Sequence, residues 1–471
     1  MNSLDGPREA AIKSFQKQID FHNGETRRLR YAQNSQLAIS RLPAELLSGA
    51  FLYVVEAGLQ NGDTNFAAGT FNFLQVCRRW NEVAVGFPGL WVWRISGAIK
   101  AWPLFKSRSK DAPLFLTWGP ELPDSARELL TDTKTLKGIR QLNFSGTIED
   151  LGNLLHAIGL GPLSNASAIR LKNDQYDSHE PPEHLTHFLS SPFPKLSKLD
   201  VKDFLPDFTS PMFTTSSLTT LKLCFSYDEI SCTLSQFSQI LQHHPNLREL
   251  DLHHDGIPQS ESSEPLVPCV LPQLVYLRLY GTELAIKEFV EFIGMSSPLH
   301  NIVIRFQDTG YATISSLTKT IEKILAAYYG CPGLDYPRLA DHLAISSYSR
   351  DVDDYLVFDA RSDSTSTFRP MSNLKLKVHR VGNELVKKIL PLFPLNHVRK
   401  FVDMTLALDA DGWRGVLWKM ENLSHLQLEK LNIESVLDVL YVEGQGVCVR
   451  TTEIAFGYSR KHRRIISAAR P

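Results

Sequence analysis

Along much of the chain the apolar residues recur in one short pattern, at positions 1, 4 and 6 of a six-residue window. It reads Ile139-Leu142-Phe144, Ala166-Ile169-Leu171, Leu196-Leu199-Val201, Leu218-Leu221-Leu223 and Leu247-Leu250-Leu252. It continues as Leu274-Leu277-Leu279, Leu299-Ile302-Ile304, Met371-Leu374-Leu376 and Leu423-Leu426-Leu428, with weaker forms at Ala340-Leu343-Ile345 and Val398-Phe401. Neighbouring strong units from 139 to 299 stand 22 to 30 residues apart. Positions 4 and 6 share a face only on a strand, where side chains alternate. Pro194, Pro245, Pro272 and Pro298 lie one or two residues ahead of four triplets, where the chain enters a strand. Between triplets the period changes to that of a helix, as in Leu234, Phe237, Ile240, Leu241 and again in Leu284, Phe289, Val290, Ile293.

A strand and a helix every ~25 residues around L-x-x-L-x-L predict a leucine-rich repeat solenoid, with a parallel sheet on the concave side and helices on the convex side. No single unit could close its core, so neighbours stack. Positions 3, 5 and 7 then form an open row that includes Lys198, Asp200, Lys202, Thr220, Lys222, Glu249, Asp251, His253, Tyr276, Arg278, Tyr280, Asn301 and Arg305. Tyr276, Arg278 and Tyr280, flanked by Asp251 and His253, have residue types that dominate binding hot spots and form the candidate target-binding set. The repeats are irregular: the asparagine or cysteine that commonly follows such strands is absent, and His254 stands two residues past Leu252. A register error of one would exchange every inward and outward residue. Residues 306–370 fit the pattern worst, and the run Asp351 to Ser366 is expected to leave the stack.

The amino-terminal part is helical in period. Residues 8 to 37 place Ile12, Phe15, Ile19, Leu29, Ala32 and Leu37 at helix-like spacing, broken at Asn23-Gly24. The spacing fits either a solvated lead-in or a helix that packs or self-associates. Leu42-Pro43 then opens a second run, with Pro43 at a first-turn position that suits its fixed φ. Leu46, Leu47, Ala50, Phe51 and Val54 follow at three- and four-residue spacing, and residues 58–70 read as a loop. Phe73, Leu74, Val76, Cys77, Trp80, Val83 and Ala84 form a further apolar series before Pro88-Gly89 and Leu90-Trp91. Two short helices cannot cover so many large side chains between them, so this unit must pack on other chain, on a partner, or on both.

The order L-P-x-E-L-L, apolar helix, L-x-V-C-R-R-W-N-x-V-A, P-x-L-W resembles an F-box, in the form found in large fungal (basidiomycete-type) families with leucine-rich repeats. The resemblance implies that Leu42, Pro43, Leu46, Leu47 and Phe51 dock on a Skp-type adaptor, itself bound to a cullin scaffold. It implies that Val76, Cys77, Trp80, Leu90 and Trp91 form the F-box core. Lead-in helices in similar chains favour the packed reading of residues 8 to 37. Gly49 departs from a good helix former and weakens the first helix by roughly 0.5–1 kcal/mol relative to Ala.

Composition narrows the remaining classes. With 43% hydrophobic and 21% charged residues, the 471-residue chain is expected to be globular and soluble. A formal net charge of −1 provides no field for nucleic acid or anionic membrane. The first twenty residues lack a secretion signal's apolar stretch. The six cysteines, scattered without C-x-x-C pairs, suit a reducing cytoplasmic or nuclear setting. No phosphate-loop, dinucleotide or acyl-transfer motif is present. His179 and His184 are five apart with two prolines between, which forbids a helical zinc pair. The chain is therefore expected to need no cofactor, metal or small-molecule substrate and not to be an enzyme. The expected organisation is a lead-in over 1–36, the F-box over 37–100 and the repeats over 101–471. The expected function is substrate recruitment in an SCF-type ubiquitin ligase, with an unknown target protein. The alternative is a leucine-rich scaffold whose F-box only caps the solenoid.

Overall fold

The computed structural model describes residues 5–60, 71–95, 102–119, 139–158, 163, 165–174, 192–204, 208–214, 217–225, 233–254, 257, 268–293, 299, 301–306, 314–329, 342–350, 353–361, 373–379, 383–404, 408–428, 436, 439, 453–457 and 463–466. Two units emerge, one of Met1–Phe144 with His156–Leu163, the other of Ser145–Leu155 with Ser164–Pro471.

The first unit opens with one continuous helix, α1 (Asp5–Gln36), which runs through Asn23-Gly24 without a break. Ile12, Phe15, Ile19, Phe21, Leu29 and Tyr31 are all more than half exposed, so α1 does not bury its apolar residues within the chain. Then come α2 (Ala44–Gln60), a 3-10 turn at Asn72–Gln75, α3 (Arg78–Gly86), a second 3-10 turn at Pro88–Trp91 and α4 (Trp102–Ser109). The apolar series 73–84 is thus two elements and not one. Cys77 adopts an extended backbone between them, φ −159° and ψ 167°, and starts α3. Leu47, Phe51 and Val55 on α2 meet Phe73, Ala84, Leu90, Trp91 and Phe105 in one core. Phe51 stacks on Phe73 at 4.4 Å, and the Trp91 indole N–H donates to the Ala84 carbonyl at 2.8 Å, which satisfies its polar edge inside an apolar cluster. Of the expected loop over 58–70, residues 58–60 instead continue α2, and 61–70 lie outside the described residues. Strands β1 (Trp93–Ile95), β2 (Leu114–Trp118) and β3 (Ile139–Gly146) follow, β2 pairing in parallel with both.

The second unit is the α/β repeat array that the triplets predict. Its strands are β4 (Ala168–Asn173), β5 (Lys198–Lys202), β6 (Thr220–Phe225), β7 (Glu249–His254), β8 (Tyr276–Gly281) and β9 (Asn301–Phe306). After these come β10 (His342–Arg350), β11 (Asp353–Arg361), β12 (Asn373–His379), β13 (Lys400–Met404), β14 (His425–Leu428), β15 (Glu453–Gly457) and β16 (Arg463–Ile466). The register predicted from the triplets holds. Leu199, Leu221, Leu250, Leu277 and Ile302 are all fully buried and lie side by side across β5 to β9. Leu374, Leu376, Phe401, Leu426 and Leu428 are buried as well. Met371, Ala340 and Pro298, and the histidines at 179 and 184, lie outside the described residues.

Helices α5 (Leu234–Gln242) and α6 (Glu283–Ile293) carry the apolar faces expected between strands. Thr233 and Gln236 form a reciprocal capping box at the start of α5, and Phe237 meets Phe289 at 5.9 Å. Leu284 is the exception, 55% exposed although its spacing matched the core.

Successive repeats are joined just before each strand. The Ser167 carbonyl accepts from the Ser197 and Lys198 N–H groups, the Ser197 carbonyl from Thr219 and Thr220, and the Thr219 carbonyl from Arg248 and Glu249. Hydroxyls reinforce the stack, Ser197 onto Ser167 at 2.9 Å and Thr219 onto Ser197 at 3.0 Å. These bonds connect repeats that lack the usual asparagine or cysteine.

Within 306–370 the described strands β10 and β11 do not leave the stack as expected, while 351–352 and 362–370 lie outside the described residues. The sheet order is β9-β12-β11-β10-β13. β12 pairs in parallel with β9, and β11 is antiparallel to both β12 and β10. β10 then pairs in parallel with β13. A meander therefore fills the sheet where a simple repeat would have stood. It pairs strand edges that would otherwise lie open.

Candidate functional site

Two surfaces collect the residues singled out by the sequence. The first is on α2. Its core side carries Leu47, Phe51 and Val55, at most 3% exposed, while Leu46 is 61% and Tyr53 73% exposed. Leu42 and Pro43, at the entrance to α2, are exposed as well. The Arg79 guanidinium donates to the Leu42 carbonyl and ties that entrance to α3. Arg78 pairs with Glu82 at 2.7 Å along the outer side of α3. Gly49 stands on the outer side of α2, where an added Cβ would meet nothing within 4 Å.

This geometry divides the five candidate docking residues. Leu42, Pro43 and Leu46 are open to a partner. Leu47 and Phe51 are not: they sit inside the unit, because on α2 they are one position round from Leu46 and Ala50 and so point to Phe73 and Trp80. Among the candidate core residues Leu90 and Trp91 are buried, and Cys77 and Trp80 are half-buried. Val76 is 55% exposed, because the chain turns from 3-10 to extended backbone at that point. Tyr53 is the outer-face residue that the sequence reading missed. Its signal was present, seven residues after Leu46 on the same helical face.

The second surface is the open side of the repeat sheet, opposite the buried triplets. It brings Asp251, His253, Tyr276, Arg278 and Tyr280 together on β7 and β8, with Asp251 opposite Arg278 and His253 opposite Tyr280. Asp251 lies between His253 Nε2 at 2.7 Å and an Arg278 nitrogen at 3.2 Å. Its side chain is only 6% exposed, so it orients its neighbours and does not itself present to a ligand. Arg278 lies over the Tyr276 ring at 5.4 Å, and Arg305 over Tyr280 at 4.3 Å. Burial pushes the Tyr276 phenol above its ordinary range; Arg278 opposes that and Asp251 adds to it. Burial, followed by the nearby Asp203 carboxylate, pushes the Cys224 thiol up to about 11, so it stays protonated at neutral pH.

Ion pairs cross from strand to strand: Arg170–Asp200 at 2.8 Å, Lys222–Glu249 at 2.6 Å and Lys375–Asp359 at 3.8 Å. Lys375 and Lys377 on β12 join this open face, a placement that sequence reasoning did not reach. The Leu374-Leu376 pattern located β12, but nothing local showed that β12 would lie beside β9. No cluster of three or more His, Cys, Asp or Glu that could hold a metal is found among the described residues. Nor is any described helix long and apolar enough to cross a membrane.

No family model and no curated protein matches the chain. Among solved structures it is similar to the leucine-rich repeat-containing protein LegL7 from Legionella pneumophila, at 11% identity over 74% of this chain and 92% of that one, with a TM-score of 0.30. It is also similar to a chain of the Rad7 and Elc1 complex in yeast, at 11% identity over 91% of this chain and 94% of that one, with a TM-score of 0.36. Likeness at this level carries no argument about function.

Proposed function

We propose that the chain is the substrate-recruiting F-box subunit of an SCF-type ubiquitin ligase and not itself an enzyme. The observation that carries the reading is the two-sided α2. Leu46 stands 61% exposed with Leu42 and Pro43 beside it, while the other side is sealed. Large apolar side chains held in water by a well-packed support lose the stabilisation that a partner would return, roughly 1.5–3 kcal/mol for each one fully covered. The resemblance of the L-P-x-E-L-L and V-C-R-R-W segments to an F-box names that partner as a Skp-type adaptor on a cullin scaffold. The repeat sheet would hold the target protein. Its contribution is proximity, since tethering raises the effective concentration of target lysines at chemistry located elsewhere.

Co-expression with a Skp-type adaptor tests this. A stable complex is expected, and Leu46→Asp should abolish it while leaving the melting temperature unchanged, because residue 46 contributes little to the core. A well-folded chain that forms no complex would remove the ligase reading. The burial of Leu47 and Phe51 favours a second reading, a scaffold without a ligase, since it leaves three candidate docking residues and not five. That reading expects a folded chain indifferent to the adaptor.

A further inference from the structure

We propose that Arg79 is a positioning residue for adaptor docking: from α3 it fixes the Leu42-Pro43 entrance of α2, so that both residues are presented together with Leu46. This rests on the reading that the outer side of α2 receives the adaptor. Arg79 stands half-buried in the first turn of α3, and its guanidinium donates to the Leu42 carbonyl across 37 residues of chain. The hydrogen-bond ladder of α2 begins one residue later, where the Pro43 carbonyl accepts from the Leu47 N–H at 3.2 Å. Leu42 itself has extended backbone, φ −61° and ψ 138°, and follows a 3-10 turn at Ala38–Arg41. Its N–H reaches back to the Ile39 carbonyl at 3.3 Å. Leu37, Ile39 and Leu42 are all exposed, so burial does little to hold the entrance in place.

The start of α3 is poorly made for its own stability, which is what marks Arg79. Cys77 occupies the N-cap without a side-chain hydrogen bond, and the first turn holds Arg78 and Arg79 but no acidic residue. Cations there oppose the helix dipole, and a Ser or Asp cap would serve the helix better. For Arg78 this is offset within α3 by Glu82, four residues on, at 2.7 Å. Arg79 reaches out of its helix to a backbone carbonyl at the docking surface, through a charge-assisted hydrogen bond roughly twice as strong as a neutral one. α3 is itself anchored: Ala84 lies in the core, and its carbonyl accepts from the Trp91 indole N–H at 2.8 Å. The Arg79 bond therefore ties an exposed entrance to a packed helix. An entrance ordered in advance need not be ordered during binding, and the partner meets three fixed apolar groups.

The test uses the full chain with Arg79→Met, Arg79→Lys and Leu42→Ala, read by titration with a Skp-type adaptor and by trypsin cleavage at the Arg41–Leu42 bond. Arg79→Met should weaken adaptor binding about tenfold while the melting temperature holds. Arg79→Lys keeps a donor and should recover most of that loss. In the Leu42→Ala background Arg79→Met should weaken binding only about threefold, since Pro43 alone is then left to place. Without adaptor, trypsin should cut after Arg41 about tenfold faster in Arg79→Met, through local opening of the entrance. Equal affinity of the native chain and Arg79→Met overturns the proposal, as does full additivity with Leu42→Ala. So does unchanged cutting after Arg41, Arg79→Lys binding no better than Arg79→Met, or a melting temperature that falls with Arg79→Met, which would make Arg79 a residue of the fold alone. If the native chain leaves the adaptor unbound, the ligase reading falls and takes this role with it; if it binds and Arg79→Met binds as tightly, only the role of Arg79 falls.

Discussion

The outer side of α2 and the open side of the repeat sheet are both uncovered, yet they meet water in opposite ways. On α2 the exposed large side chains include Leu46, Tyr53 and Val54, with the charged Glu45 and Glu56 on the same helix. On the sheet, charges largely answer one another across the strands, as Arg170 does Asp200 and Lys222 does Glu249. An apolar surface gains from being covered whatever the salt concentration, which suits a partner held for long periods. A charged surface already hydrated and paired gains little on average, so any affinity must come from the few places where pairing is incomplete. The comparison teaches where each kind of partner should be sought. Under the proposed reading, a constitutive companion is to be sought on α2 and a selective one on the open face of the sheet.

The sharpest way to break this comparison is to substitute the two sides of α2. Phe51→Ala should cost about 3–5 kcal/mol, because the ring stacks on Phe73 and leaves a cavity. Leu46→Ala should stay within about 0.5 kcal/mol. Denaturant unfolding of both variants decides it, and equal losses would mean that α2 has no outer side. Next in size is the sheet. Asp251→Ala strands Arg278 and His253 beside a half-buried tyrosine, and a loss of roughly 1–3 kcal/mol is expected in the same assay. A neutral result would show that the ladder is ornamental at its centre. The smallest effect is a gain. Gly49→Ala should stabilise α2 by about 0.5–1 kcal/mol, since the new methyl meets no neighbour within 4 Å. If it also weakens adaptor binding, the outer side of α2 is a close-packed contact.

Legibility differed between the two surfaces for a physical reason. The open-face residues Tyr276, Arg278 and Tyr280 were readable because a strand has two faces only, and the triplets Leu274-Leu277-Leu279 and Leu247-Leu250-Leu252 say which of them is inside. A helix has no such binary choice. On α2 the series 46-50-53 and 47-51-55 are both apolar and lie 100° apart, so the pattern did not separate the docking side from the core side. Val76 misled for a related reason: the helix period runs on through it, whereas the backbone breaks at Cys77.

From its sequence alone this chain is an array of strand-and-helix repeats in a set register, preceded by a helical unit with more apolar surface than it can cover. Those properties are local, since each triplet carries its own inside and outside. Which strands become neighbours is not local. The placement of β12 beside β9, with β10 and β11 returning to fill the sheet, depends on hydrogen bonds between segments about seventy residues apart in sequence. That tertiary choice brings Lys377 opposite Arg305, and no periodicity in either strand could have announced it.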